Sequence, residues 1–188
     1  AYEIKECDWS SDVCSSDLVT FIIGDGQTKL DFSQGYWVNL LSLGISTGSI
    51  GNSSLRSQSA RFPITAGALD RDTVQGEINH TGGLFLQKGA VRVTIVSISI
   101  DMTASGAVLS GVVVVSSDWD YLNTGNVIGR TELATLTLPP TMDPSQLKEE
   151  AFKTLYRQDI QAQLSPALAG LLNSVFSTSK FVQGSDLG

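Results

Sequence analysis

The chain has 188 residues, with 12 Lys and Arg against 19 Asp and Glu, and a net charge of −7. An acidic balance without a basic cluster excludes the electrostatic footprint of a nucleic-acid binder or of a protein held on anionic lipid. No apolar run approaches the ~18 residues that a membrane-spanning helix needs.

Residues 1–18, Ala-Tyr-Glu-Ile-Lys-Glu-Cys-Asp-Trp-Ser-Ser-Asp-Val-Cys-Ser-Ser-Asp-Leu, show neither a helical nor a strand period. They resemble a sequencing adapter translated in one frame, interrupted by a short index. The expectation is therefore an adapter-derived segment at 1–18, a sequence assembled from environmental reads, and one β-rich domain over 19–188 that lacks its natural N-terminus. Residues 1–18 hold five acids, one base and both cysteines. What remains has 14 acids, 11 bases, a net charge of −3 and no cysteine. Such a domain has no disulfide and no thiolate nucleophile, and one His without Cys makes zinc improbable.

Short strands separated by turn residues follow, and they predict an all-β, antiparallel, β-sandwich-like domain. Gly24-Asp25-Gly26 is too short for a phosphate cradle. Residues 28–32 alternate as a strand. Residues 44–59, dense in Gly, Ser and Asn, predict an exposed loop. Two strands are expected near 61–65 and 73–79, separated by a turn at Gly67. Gly82-Gly83 turns the chain into Leu84-Phe85-Leu86, and Lys88-Gly89 turns it again. The clearest strand covers 91–100. Its apolar parity changes after Val96, which predicts a bulge near Val96-Ser97. A turn at 101–106 then makes a hairpin with 108–115, and a further strand is expected over 131–138.

Two short helices complete the reading. Asp143 can cap the first, with Pro144 in its opening turn and Leu147, Ala151 and Leu155 on one face. Ser165-Pro166 repeats that logic for the second. Leu168, Leu171, Leu172, Val175 and Phe176 follow the apolar stripe of an amphipathic helix that ends near 177–179.

Candidate chemistry is sparse. Gly44-Ile45-Ser46-Thr47-Gly48 matches the nucleophile-elbow pattern, which requires a strand before it, a helix after it and a His within reach. A loop follows instead, so a serine hydrolase built on Ser46 and His80 is a distant alternative. Asp118-Trp119-Asp120 opens like a calcium loop, but Leu122 stands where an oxygen ligand is needed. The Asn52 and Asn79 sequons and Gly125 to Gly129 are ordinary turn material. His80 closes a strand beside the Gly82-Gly83 turn. Glycines of this kind can let a flat ligand approach the backbone; the ordinary alternative is a partly buried turn His with one hydrogen bond.

The order Gly76-Glu77-Ile78-x-His80-x-Gly82-Gly83-Leu84, a long strand, then Ala104-Ser105-Gly106-Ala107-Val108-Leu109 resembles the core of the HtaA domain. Phe62-Pro63-Ile64-Thr65-x-Gly67 upstream, and Leu171-Leu172-Asn173 with Phe176 and Phe181 downstream, extend the resemblance over most of 19–188. HtaA domains occur in exported and cell-envelope proteins of actinobacteria linked to haem uptake. The resemblance implies a secreted or envelope location and haem or haem proteins as partners, with no enzymatic activity. It also implies a haem iron held by a tyrosine from an aromatic-rich, helix-like segment, with the motif histidine nearby. His80 carries over directly, although Asn79 replaces the glycine expected before it. Tyr36 is the loose candidate for the tyrosine. The alternative is a structural or adhesion domain of the cell surface without a small ligand.

Overall fold

In the computed structural model, residues 20–70, 73–117, 125–137 and 160–188 are described. Eleven strands and two helices occur among them, and every strand pairing is antiparallel. The expected all-β sandwich-like class is what forms. The strands are β1 (Thr20–Ile23), β2 (Gln27–Asp31), β3 (Ser46–Ile50), β4 (Ser54–Arg56), β5 (Ser59–Asp70), β6 (Gly76–His80), β7 (Gly83–Lys88), β8 (Val91–Thr103), β9 (Gly106–Ser116), β10 (Asn126–Thr137) and β11 (Gln161–Leu164). The helices are α1 (Gln34–Ser42) and α2 (Pro166–Phe176).

The main path runs β1-β5-β6-β8-β9-β10-β11, with β3 added through β7. The first half of β5 turns away from this path to pair with β2 and β4. β5 therefore belongs to both layers, and the layers meet where it bends. That bend is part of a fault crossing the sheet. β5 shifts register between Ile64 and Ala66. β6 and β7 lie end to end along β8 and are separated by Thr81-Gly82. β8 bulges between Val96 and Ser99, with Ser97 at φ 50°. β1 and β2 lie end to end along β5, separated by Gly24-Asp25-Gly26. A bulge sharpens local twist and re-aims the strand, and four neighbouring breaks at one level fold the sheet over. The parity change at Val96-Ser97 was the sequence trace of this fault.

The core lies between the sheet and α2. Val93, Val113, Ala134, Ala107 and Leu172 are fully buried. Ser165 caps α2 by accepting from the Leu168 N–H at 3.0 Å, and Pro166 follows in the first turn, as the cap logic required. Leu168, Leu172 and Phe176 are buried along the helix. Leu171 and Val175 are only half-buried. Ser177 ends the helix in the left-handed region at φ 51°.

Three expectations are corrected. Residues 44–59 are not an open loop: they form β3 and β4, and Ser53 between them is buried. The local composition is loop-like, but pairing with β7 and β5 overrides it. Gly67 is not a turn. It sits inside β5 opposite Ile78, where a Cβ would meet the Glu77 carbonyl at 3.1 Å. β8 continues past Ile100 to Thr103, so the hairpin turn narrows to Ala104-Ser105. The helix expected from Asp143 and Pro144 lies outside the described residues, whereas α1 was not anticipated at all. Its cap is Ser33, which accepts from the Tyr36 N–H at 3.2 Å and donates to the Asp186 carbonyl at 2.6 Å.

Candidate functional site

His80 ends β6 at the fault and is 5% exposed. Its Nδ1 lies 3.2 Å from the Ile98 carbonyl and its Nε2 2.7 Å from Thr28 Oγ1. A carbonyl oxygen only accepts, so Nδ1 carries the proton; Nε2 is then the acceptor of the Thr28 hydroxyl. Burial lowers the pKa of the imidazole, against an opposing contribution from the Ile98 hydrogen bond. The side chain is thus a fully satisfied neutral imidazole spanning β2 and β8, with two partners rather than one.

The glycines beside it are occupied. A Cβ at Gly82 would lie 2.6 Å from the Ser53 N and 2.7 Å from the Ile50 carbonyl. One at Gly83 would meet the Ile95 carbonyl. Ser53 Oγ accepts the Gly83 N–H at 3.1 Å and donates to the Ile50 carbonyl at 2.7 Å. The close approach that Gly82-Gly83 permits is used by the protein's own β3–β4 turn and by β8. The space beside the backbone that was expected for a flat ligand is filled.

Tyr36 lies on α1 and is 7% exposed. Its ring stacks on Phe32 at 5.6 Å between centroids and meets Phe181 at 5.9 Å, while Trp37 stacks on Phe32 at 6.1 Å. Burial pushes the phenol pKa well above its ordinary value. Tyr36 therefore lies on a helix with Trp37, beside Phe32 and Phe181. The sequence hid this because Gln34-Gly35 opens the helix and only Tyr36 and Leu40 are buried along it. Tyr36 and His80 share no hydrogen bond or ring contact, so the two candidates are not assembled into one described site.

Ser46 lies in β3 and donates to the Gln87 carbonyl at 3.2 Å. The Gly44 to Gly48 motif is a strand entry rather than an elbow, and both His80 nitrogens are engaged elsewhere. No Ser46–His80 pair exists, and the hydrolase alternative falls with it. The calcium-like Asp118 to Asp120 turn lies outside the described residues.

A feature the sequence reading missed is a cleft of about 410 Å³ between the C-terminal half of α2 and the β9–β10 end of the sheet. Val115, Ile128, Leu171 and Val175 supply its apolar wall, and Ser117, Asn126 and Ser174 its polar groups. Leu171 and Val175 belong to the stripe assigned to the core. The missing signal was the width of that stripe, which exceeds the surface the sheet covers.

At the level of sequence the chain matches no family model and no curated protein. In three dimensions it matches the C-terminal domain of HtaA from Corynebacterium glutamicum with a TM-score of 0.59, at 19% identity over 88% of this chain and 93% of the other. The N-terminal domain of the same protein matches with a TM-score of 0.61, at 17% identity and the same coverages. The chain has an HtaA-like fold. A domain-swapped dimeric variant of the C-terminal HtaA domain matches with a TM-score of 0.50, at 22% identity over 82% of this chain.

Proposed function

We propose that the chain is a haem-handling domain of the actinobacterial cell envelope, with Tyr36 as donor to the iron and His80 as a structural residue. The observation that carries this reading is Tyr36 on an aromatic-rich helix of an HtaA-like fold. A phenolate oxygen is an established haem-iron donor, and Phe32, Trp37 and Phe181 offer flat apolar contacts. The donor type at Tyr36 fits haem, and binding requires α1 to move, because the ring is 7% exposed, packed on Phe32 and Phe181, and held protonated by burial. The residues at His80 do not fit it, because Nε2 is held by Thr28 and the glycine gap is closed.

The test is haem titration of the full chain, followed in the Soret band, beside Tyr36→Phe and His80→Gln. A saturable shift that disappears in Tyr36→Phe and persists in His80→Gln supports the reading. Loss in His80→Gln with retention in Tyr36→Phe would move the site to His80. The absence of any saturable shift supports the second reading, a structural or adhesion domain without a small ligand. That reading is favoured by the complete internal satisfaction of His80, Ser53 and the Gly82-Gly83 turn.

A further inference from the structure

His80 is the only histidine of the chain. It stands where four strand breaks coincide, and its two bonds reach across the fault from β2 to β8. Among the described strands β2 pairs with β5 alone, so the Thr28–His80 bond is a side-chain tie fastening β2 to the main sheet.

The surroundings of the ring accept only the neutral form. Thr28 pairs with Phe62 and His80 with Ile64, which places all four side chains on one side of their strands. Ile78 and Ile100 pair on that same side. The charged groups of the surrounding strands stand at the alternate positions. Next to the ring these are Lys29 and Asp31 on β2, Arg61 on β5, Glu77 on β6 and Asp101 on β8, and strand alternation sends them to the other side; Asp70 ends β5 opposite Thr20, and Arg92 lies at the start of β8 opposite Gln87. Lys29 and Asp31 bind one another at 2.6 Å, and Glu77 pairs with Asp101 across β6 and β8. On β7, Lys88 lies at the far end, opposite Val91. Among the described residues, none of these carboxylates is on the side of the ring to compensate an imidazolium.

We propose that His80 is an acid-operated latch, which clamps β2 to β8 while neutral and releases β2 when Nε2 takes up a proton. Once protonated, Nε2 can only donate. The Thr28 hydroxyl must then turn to accept, and its own proton loses its acceptor. A buried cation without a carboxylate favours any state in which the ring reaches water. The ordinary imidazole titrates near 6.5, and the folded one at lower pH. Between those values the open state binds more protons. The latch therefore holds fully above about pH 6.5 and weakens as the pH falls below it. The element released is β2, with the small layer that it shares with β4 and the first half of β5.

Hydrogen exchange of the full chain between pH 7.5 and 5, corrected for intrinsic rates, tests this alongside NMR titration of the single imidazole. The amides of Gln27–Asp31 are expected to lose protection by up to about tenfold per pH unit from about pH 6.5 down to the lower pH at which the folded imidazole titrates, where the loss levels off, while β8 and β9 stay protected. His80→Gln abolishes the pH dependence. Thr28→Val loosens β2 at neutral pH already. Should His80→Gln misfold, the wild-type profile decides: the loss of protection must begin near pH 6.5 and level off where NMR shows the imidazole titrating. Protection of β2 that ignores pH, that falls only below the pH at which the imidazole titrates, or that falls equally in His80→Gln overturns the latch. None of these readouts involves haem, so the latch and the haem reading stand or fall separately.

Discussion

α1 and α2 are built to different plans, though each begins at a serine cap. α2 buries Leu168, Ala169, Leu172 and Phe176 against the sheet, and its Ser165 cap also donates to the Glu132 carbonyl. α1 buries only Tyr36 and Leu40, carries Gly35 in its first turn, and leaves Val38 and Leu41 48% and 62% exposed. Its position depends on partners far along the chain. Ser33 binds Asp186 and Leu187, Asn39 reaches the Lys180 carbonyl, and Tyr36 meets Phe181. α2 is a helix that its own sequence specifies. α1 is a helix that the C-terminal segment completes, and a site built on α1 can respond to that segment.

The largest effect expected from this contrast is at Leu172, which is fully buried. Leu172→Ala should cost roughly 2–5 kcal/mol, read as a fall in the denaturant midpoint at unchanged slope. A cost below about 1 kcal/mol would mean that α2 is not the anchor described. Next is Ser165→Ala, which removes both the cap to Leu168 and a hydrogen bond to the Glu132 carbonyl. A loss of about 1–2 kcal/mol is expected in thermal melts. Equal losses for Ser165→Ala and Ser33→Ala would erase the difference between the two caps. The smallest effect should come from Leu41→Gln on the outer face of α1, within about 0.5 kcal/mol in equilibrium unfolding. A large loss there would show that Leu41 is covered in solution.

The two helices also mark what was readable. Ser165-Pro166 and the Leu168 to Phe176 stripe are local signals, and α2 follows from them within a residue. α1 has no such stripe, so its apolar positions did not separate from a turn. The Val96-Ser97 bulge was legible because a parity change is a local event. The Gly44 to Ser59 region was not, because its Gly, Ser and Asn content suits both a loop and a short edge strand, and only pairing with β7 and β5 decides between them. His80 was found as a residue but not as an environment. Its partner Thr28 is 52 positions away, and no spacing rule links the two.

The sequence by itself determined the β class, the central hairpin of β8 and β9, the bulge, the capped helix α2 and the motif order that resembles HtaA. Apart from the motif order, these rest on periodicity or on capping chemistry that acts within about ten residues. The tertiary structure alone decided that Gly82-Gly83 admits Ser53 rather than a ligand. It also decided that Tyr36 stacks between Phe32 and Phe181, and that His80 is closed off between Thr28 and Ile98. The physical reason is that burial and hydrogen-bond satisfaction depend on which distant strands become neighbours. Neither property is written in the spacing of residues along a single strand.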